Sequence, residues 1–350
     1  MTAINPEISE HISKQGEHET YYLAAGPKDG PLLIFVHGWP ELAISWQKQL
    51  LALSSLGFFC VAPDKRGYGN STIYSRNEDY ALEHVVGDLM ELMKDLGRDK
   101  AVWIGHDWGG PVVWSLAMHH PEACVGVAGM CAAYGGMERG LDSLIPLVNR
   151  DIYPEEEFPA GQWEYQRFYE ESFEQATAAF DALIEKSVRA IFRKSDPDNL
   201  GKPASTAYVR KNGGWFEGKG EAPDLALDTD VMEEAEYEYY VEKFKKNGFF
   251  GPDSYYMNHE RNRVYAEKVR EQWRLKMPIL FLHARYDYVC DTLISRIAEP
   301  MRLECDNVSE QVLDTSHWMG QERPQEVNAA LAAWLARSLP HYWPKPARTY

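Results

Sequence analysis

Apolar residues along this chain fall into two alternating rhythms. Tyr21 to Ala25, Leu32 to Val36, Phe58 to Ala62, Ala101 to Ile104 and Val125 to Met130 are short unbroken apolar runs. Their length suits strands buried on both faces rather than helices. Between them, Trp46 to Leu56, Leu82 to Leu96 and Pro111 to Met118 repeat apolar positions at helical spacing. Breakers stand where the rhythm changes, at Gly30-Pro31, Pro63-Asp64 and Gly97. Strands alternating with helices predict an α/β fold, with a mostly parallel sheet covered by helices on both faces.

The alternation stops near Ala133. From there to about Lys276 the chain reads as helical stretches rich in Tyr, Phe and Glu, interrupted by a polar, glycine-containing interval from Pro197 to Pro223. It then resumes, with Pro278 to Leu282 as a strand, Thr292 to Met301 as a helix, Val308 to Leu313 as a strand and Gln325 to Leu339 as a closing helix. The expected organisation is a first part of the core over 1–133, an inserted helical lid over 134–276 and a second part of the core over 277–350. Open sheets of this kind gather function beyond the C-terminal ends of their strands, so an insertion there would cover the site.

Composition narrows the functions. The formal net charge of -17 disfavours a nucleic-acid-binding face, which needs clustered Lys and Arg. No apolar run reaches the roughly 18 residues of a spanning helix. Met1 to Pro6 shows no secretion signal, and the closing Arg348-Thr349-Tyr350 is not a peroxisomal address. Cys60, Cys124, Cys131, Cys290 and Cys305 are scattered, without metal-ligand spacing, and read as buried free thiols of a reducing compartment. A cytoplasmic protein follows, with no membrane or nucleic-acid partner and no metal; a monomer or homodimer is expected, since no interface is marked.

The candidate chemistry centres on Asp107. Gly105-His-Asp-Trp-Gly109 follows an apolar strand and opens a helix. A sharp strand-to-helix turn leaves no room for side chains at its crossing, and it exposes its middle residue. A carboxylate there attacks carbon and forms an ester of the enzyme itself. At the helix start it gains from unpaired N–H groups, although an Asp in that place can also be a simple cap. The loop His37-Gly38-Trp39-Pro40 follows the Leu32 to Val36 strand. It suits a donor pair made of the Trp39 and Trp108 backbone N–H groups, facing the ester carbonyl.

Among eleven histidines, His317 is best placed, after the last strand and before the closing helix. Nucleophile, acid, histidine is the chain order expected of this fold. His37 and His106 read as structural, and His283 as a satisfied core residue. Asp287 leads Asp291 and Asp314 as the partner that would orient the imidazole. The inserted segment carries many tyrosines whose phenols suit hydrogen bonding to an oxygen. Most of them must be packing residues, and the pattern does not choose among them.

His37 to Pro40, Arg66-Gly-Tyr-Gly-Asn-Ser71, Gly105 to Gly109, Tyr165-Gln166, Tyr255 to Asn262, Tyr286 to Val289 and Asp314 to Trp318 together resemble the soluble epoxide hydrolases of the α/β-hydrolase fold, over essentially the full length. The resemblance implies an eight-stranded sheet, an epoxide substrate and no cofactor. It implies Asp107 as nucleophile, Tyr165 and Tyr256 as the pair that holds and protonates the epoxide oxygen, and His317 as the base, oriented by Asp287. It also implies a stand-alone hydrolase domain, without the phosphatase domain of some animal members. The principal rival is a haloalkane or haloacid dehalogenase using the same aspartate. A serine esterase lacks its serine here, and a non-catalytic binding protein would leave Asp107 unalkylated.

Overall fold

In the computed structural model, which describes residues 3–345, each early apolar run is a strand. Expectations drawn from Met1, Thr2 and the closing tripeptide lie outside the described residues. The strands are β1 (Ser9–Gln15), β2 (His18–Ala25), β3 (Leu32–Val36), β4 (Phe59–Pro63), β5 (Ala101–His106), β6 (Cys124–Met130), β7 (Leu275–Ala284) and β8 (Cys305–Leu313). They form the expected single sheet of eight strands, in the order β1-β2-β4-β3-β5-β6-β7-β8. The β1–β2 and β2–β4 pairs are antiparallel and all others parallel. Strands β3, β4 and β5 are buried at every position, as their continuous apolar character requires.

The helices beside the sheet are α1 (Gln47–Ser54), α2 (Leu82–Asp95) and α3 (Gly109–His119). Between β6 and β7 come α4 (Glu164–Asp181), α5 (Ile184–Ile191), α6 (Glu234–Asn247), α7 (Phe250–Ser254) and α8 (His259–Glu267). After β7 come α9 (Glu299–Glu304), α10 (Met319–Glu322) and α11 (Pro324–Ser338). On the sheet, α1 packs with α11 and α2 with α3. Among the described residues no strand lies between β6 and β7, and the polar interval after Pro197 forms short turns of 3-10 helix. Helix α6 begins at a reciprocal cap: the Glu233 side chain accepts from the backbone of Glu236, whose own side chain accepts from the Glu233 N–H. Among the described residues no helix is long and apolar enough to cross a membrane.

Two elements depart from the pattern. Strand β1 lacks an apolar run; only Ser13 in it is buried, as befits an edge strand paired on one side. The helix expected over Thr292 to Met301 is reduced to α9. The Asp291 carboxylate accepts the Leu293 and Ile294 N–H groups at 3.2 and 3.1 Å, and the Ser295 hydroxyl bonds the Asp291 carbonyl. These local bonds compete with a helical start.

Candidate active site

Because β3, β5, β7 and β8 run parallel, the loops after them emerge on one edge of the sheet. Those loops carry Trp39, Asp107, Asp287 and His317, so residues up to 278 positions apart meet there. Asp107 has φ of 49°, a left-handed conformation that costs a non-glycine residue energy. Its surroundings hold it there. The Asp107 N–H donates to the Met130 carbonyl at 3.3 Å, and the Asp107 carbonyl accepts from Gly110 at 2.8 Å. The turn closes only because its neighbours are glycines. A Cβ on Gly105 would lie 2.3 Å from the Gly109 carbonyl oxygen, and one on Gly109 would lie 1.9 Å from that of Val36. A Cβ on Gly38 would lie 2.4 Å from the Asp107 Cβ.

The two Asp107 oxygens have different neighbours. Oδ1 accepts the Trp39 backbone N–H at 2.6 Å. Oδ2 lies 3.6 Å from His317 Nε2. Trp108 follows directly, at the start of α3, and among the described residues its N–H makes no hydrogen bond to the carboxylate. His317 Nδ1 is 2.7 Å from Asp287 Oδ2, while Asp287 Oδ1 accepts the Val289 and Cys290 N–H groups at 3.1 and 2.9 Å. The rival carboxylates face elsewhere: Asp291 caps its own loop, and Asp314 pairs with Arg285 at the surface.

Electrostatics ties the group together. Burial pushes the Asp287 carboxyl up, but the His317 charge and hydrogen bond outweigh it, leaving a value of about 2. Burial likewise pushes His317 down, yet Asp287, Asp107 and Glu41 together raise it to about 9. Glu41 was not foreseen. It is buried, bonds His106 Nδ1 at 2.7 Å, and accepts from Gly38 N–H at 2.7 Å and from Gln321 at 2.9 Å. His106 Nε2 in turn reaches the His317 carbonyl at 2.8 Å, so this pair braces the loop carrying the imidazole. A carboxylate directly after the His37 to Pro40 motif was the available signal. His37 is buried between the Lys65 N–H and the Gly38 carbonyl, and burial pushes it down to about 3. His283 bonds Thr292 and Glu310.

Lys65 was also missed. Its buried amino group, without a hydrogen-bond partner among the described residues, lies over the Tyr255 and Tyr68 rings at 4.4 and 5.0 Å. Burial pushes it down to about 7, against the pull of Asp107 and Glu41.

Tyr165, on α4, and Tyr256, in the turn after α7, face the same space, with ring centroids 5.5 Å apart at 77°. The Tyr165 oxygen accepts from Gln166 Nε2 at 3.0 Å. Burial pushes both phenols well above their ordinary value. Asp107, His317, Trp39, Tyr165 and Tyr256 all line one cavity of about 550 Å³, completed by apolar and aromatic residues including Phe180 and Trp215. Trp108 does not line it; its ring packs against Tyr255 and Tyr256.

All five cysteines are free and buried. Although scattered in sequence, two of them come close to His317. The groups His106–Cys131–His317 and Asp107–Cys290–His317 each bring ligand-type atoms within 4.8 Å of one another. The donors are already committed, however. His317 Nδ1 is bonded to Asp287, His106 is bonded on both nitrogens, and burial holds the two thiols well above their ordinary range, hence protonated.

Comparison with known proteins agrees with this architecture. The sequence signature of the alpha/beta hydrolase fold matches residues 31–292. The chain is 32% identical over 309 residues to the bifunctional epoxide hydrolase 2 of Sus scrofa, covering 87% of this chain and 51% of that one. It thus spans about half the length of the first such relatives. Epoxide hydrolase A of Mycobacterium tuberculosis is 29% identical over 316 residues, covering 89% of this chain and 92% of the relative. The crystal structure of epoxide hydrolase A from Mycobacterium thermoresistibile is similar with a TM-score of 0.77 and 30% identity, covering 94% of this chain and 98% of that one.

Proposed function

The chain belongs to the α/β-hydrolase fold family and within it to the epoxide hydrolases, and on that premise we propose that it converts small epoxides and water to vicinal diols through an alkyl-enzyme ester on Asp107. One observation carries this reading. Asp107, His317, Tyr165 and Tyr256 together line a single, largely apolar cavity.

The two oxygens of Asp107 take separate tasks. Oδ2 attacks an epoxide carbon, and the carbon–oxygen bond of the ring breaks. Tyr165 and Tyr256, kept protonated by burial, donate to the departing oxygen. Oδ1 becomes the ester carbonyl oxygen and already accepts from the Trp39 N–H. Ester formation also removes the charge of Asp107. That charge is one of the causes holding His317 up at about 9, so alkylation lowers the imidazole pKa and frees it as a base. His317 then takes a proton from water while Asp287 supports the imidazolium. The hydroxide attacks the ester carbonyl carbon, and charge develops on Oδ1 against the Trp39 N–H, with the neighbouring Trp108 N–H as the second donor of the pair. Collapse breaks the bond between the carbonyl carbon and Oδ2; the leaving alkoxide takes a proton from the His317 imidazolium, the proton of the added hydroxyl returns to the phenol that gave one up at ring opening, and the diol leaves with Asp107 restored as a carboxylate. In this scheme residues 134–276 act as the lid.

The dehalogenase alternative needs free N–H donors for a halide. The Trp39 indole is bonded to Asp253 at 2.9 Å, and the Trp108 indole, although its N–H has no partner among the described residues, does not line the cavity. Phenols suit an oxygen leaving group instead.

Intact-protein mass spectrometry of wild type and His317→Gln with a small aryl epoxide tests this. Diol from wild type and a gain of one substrate mass on Asp107 in the variant are expected. Folded protein giving neither diol nor adduct would reject the reading.

A further inference from the structure

Asp253 is a fully buried carboxylate in α7, three residues before Tyr256. Among the described residues no cation pairs with it. Three side-chain donors from two other parts of the chain converge on it instead. Trp39 Nε1 and the Tyr169 hydroxyl donate to Oδ1 at 2.9 and 3.0 Å, and the Thr177 hydroxyl donates to Oδ2 at 2.9 Å. Tyr169 and Thr177 lie on α4, whereas Trp39 belongs to the loop after β3. Burial without a counter-charge pushes the carboxyl up to about 7, against the pull of these hydrogen bonds. A buried carboxylate is costly where an apolar side chain would fill the same space. Its presence therefore asks for a reason.

The reason lies in what the donors do at their other ends. The residue whose indole is held by Asp253 is the one whose backbone N–H bonds Asp107 Oδ1. The Tyr169 ring that Asp253 orients lies flat on Tyr256, with centroids 4.7 Å apart and an interplanar angle of 5°. Trp39 also packs edge-on against Tyr256, with centroids 5.8 Å apart. One carboxylate thus joins the nucleophile's backbone donor to the ring beneath the phenol. We propose that Asp253 is a positioning residue for both chemical steps, holding Trp39 for ester hydrolysis and, through Tyr169, Tyr256 for ring opening. The inference rests on the epoxide reading above.

The test uses the full chain with styrene oxide, following adduct formation and adduct hydrolysis separately by rapid quench and mass spectrometry. Asp253→Leu removes every acceptor and is expected to lower kcat by roughly 10- to 100-fold with KM changed less than about threefold, as misplacement of reacting groups does. Asp253→Asn keeps an oxygen for Trp39 and Tyr169 and presents an N–H to Thr177. It should retain at least about a third of wild-type kcat. Tyr169→Phe cuts only the branch toward Tyr256, and should slow adduct formation by about fivefold or more while leaving adduct hydrolysis unchanged. The role is overturned if folded Asp253→Leu turns over within about twofold of wild type, or if Asp253→Asn is as slow as Asp253→Leu. Should Asp253→Leu not fold, Tyr169→Phe decides: unequal slowing of the two steps supports the role, and unchanged rates reject it. A wild type that makes no diol rejects the epoxide reading and this inference with it. A wild type that turns over beside unaffected variants rejects this inference alone.

Discussion

On the sheet side of the cavity, Asp107, Asp287 and His317 stand on turns after β5, β7 and β8, and main-chain groups fix much of their geometry. Trp39 N–H holds Asp107, Val289 and Cys290 N–H hold Asp287, and His106 grips the His317 carbonyl. On the helical side, formed by the chain between β6 and β7, Tyr165 and Tyr256 are held mainly by ring faces and by one buried carboxylate with its donors. Main-chain placement leaves little room for adjustment, because its atoms cannot move without the sheet. Side-chain packing can readjust when one ring is lost. Substitutions on the sheet side should therefore abolish a chemical step, and those on the helical side should weaken it by degrees.

The largest effect expected from this contrast is that of Asp287→Asn. Water attack on the ester should fall by roughly 10³- to 10⁴-fold, as when an analogous orienting carboxylate is lost. Adduct formation should persist, so that alkylated enzyme accumulates in single-turnover measurements. The pH dependence has a definite sign. His317 is raised to about 9 chiefly by Asp287 against the opposing effect of burial, and it serves as a base only when neutral. The residual hydrolysis in Asp287→Asn should thus reach its plateau at lower pH than in wild type, though at a lower rate. A plateau at higher pH would contradict the assigned pairing.

The double replacement of Tyr165 and Tyr256 by Phe comes next. Loss of both donors to the departing oxygen should slow adduct formation by about 10²- to 10³-fold. Hydrolysis of adduct already formed should change little. Equal slowing of both steps would show that the two sides of the cavity are not separable in this way.

The smallest effect is expected for Trp215→Ala. Trp215 packs against Tyr165, Phe180 and Trp39 on the cavity wall, and among the described residues it makes no hydrogen bond to Asp107, His317, Tyr165 or Tyr256. KM for an aryl epoxide should rise by roughly five- to tenfold, with kcat changed less than about threefold, the signature of lost uniform binding. A collapse of kcat instead would assign the wall a part in the chemistry.

The same contrast explains what could be read in advance. Strands buried on both faces announce themselves as unbroken apolar runs, so β3, β5 and β6 were legible, whereas the polar edge strand β1 was not. The Asp107 turn was legible because a sharp crossing demands glycines, and the close approaches at Gly105 and Gly109 are of that kind. No such rule distinguishes Tyr256 from Tyr255 or Tyr169. All three are fully buried aromatic residues, and family resemblance rather than pattern selected Tyr256. Glu41, Lys65 and Asp253 escaped notice because a lone charged residue in a loop or short helix ordinarily faces solvent.

By itself the sequence determined the alternation of strands and helices and the identity of the residue on the strained turn, since these follow from local periodicity and local steric demand. Tertiary structure decided what no local pattern could: the 2.7 Å contact of Asp287 with His317, the one cavity that Tyr165 and Tyr256 line with Asp107, and where three charged side chains would be buried. Those are relations between residues tens to hundreds of positions apart, and they exist only once parallel strands bring their loops to one edge.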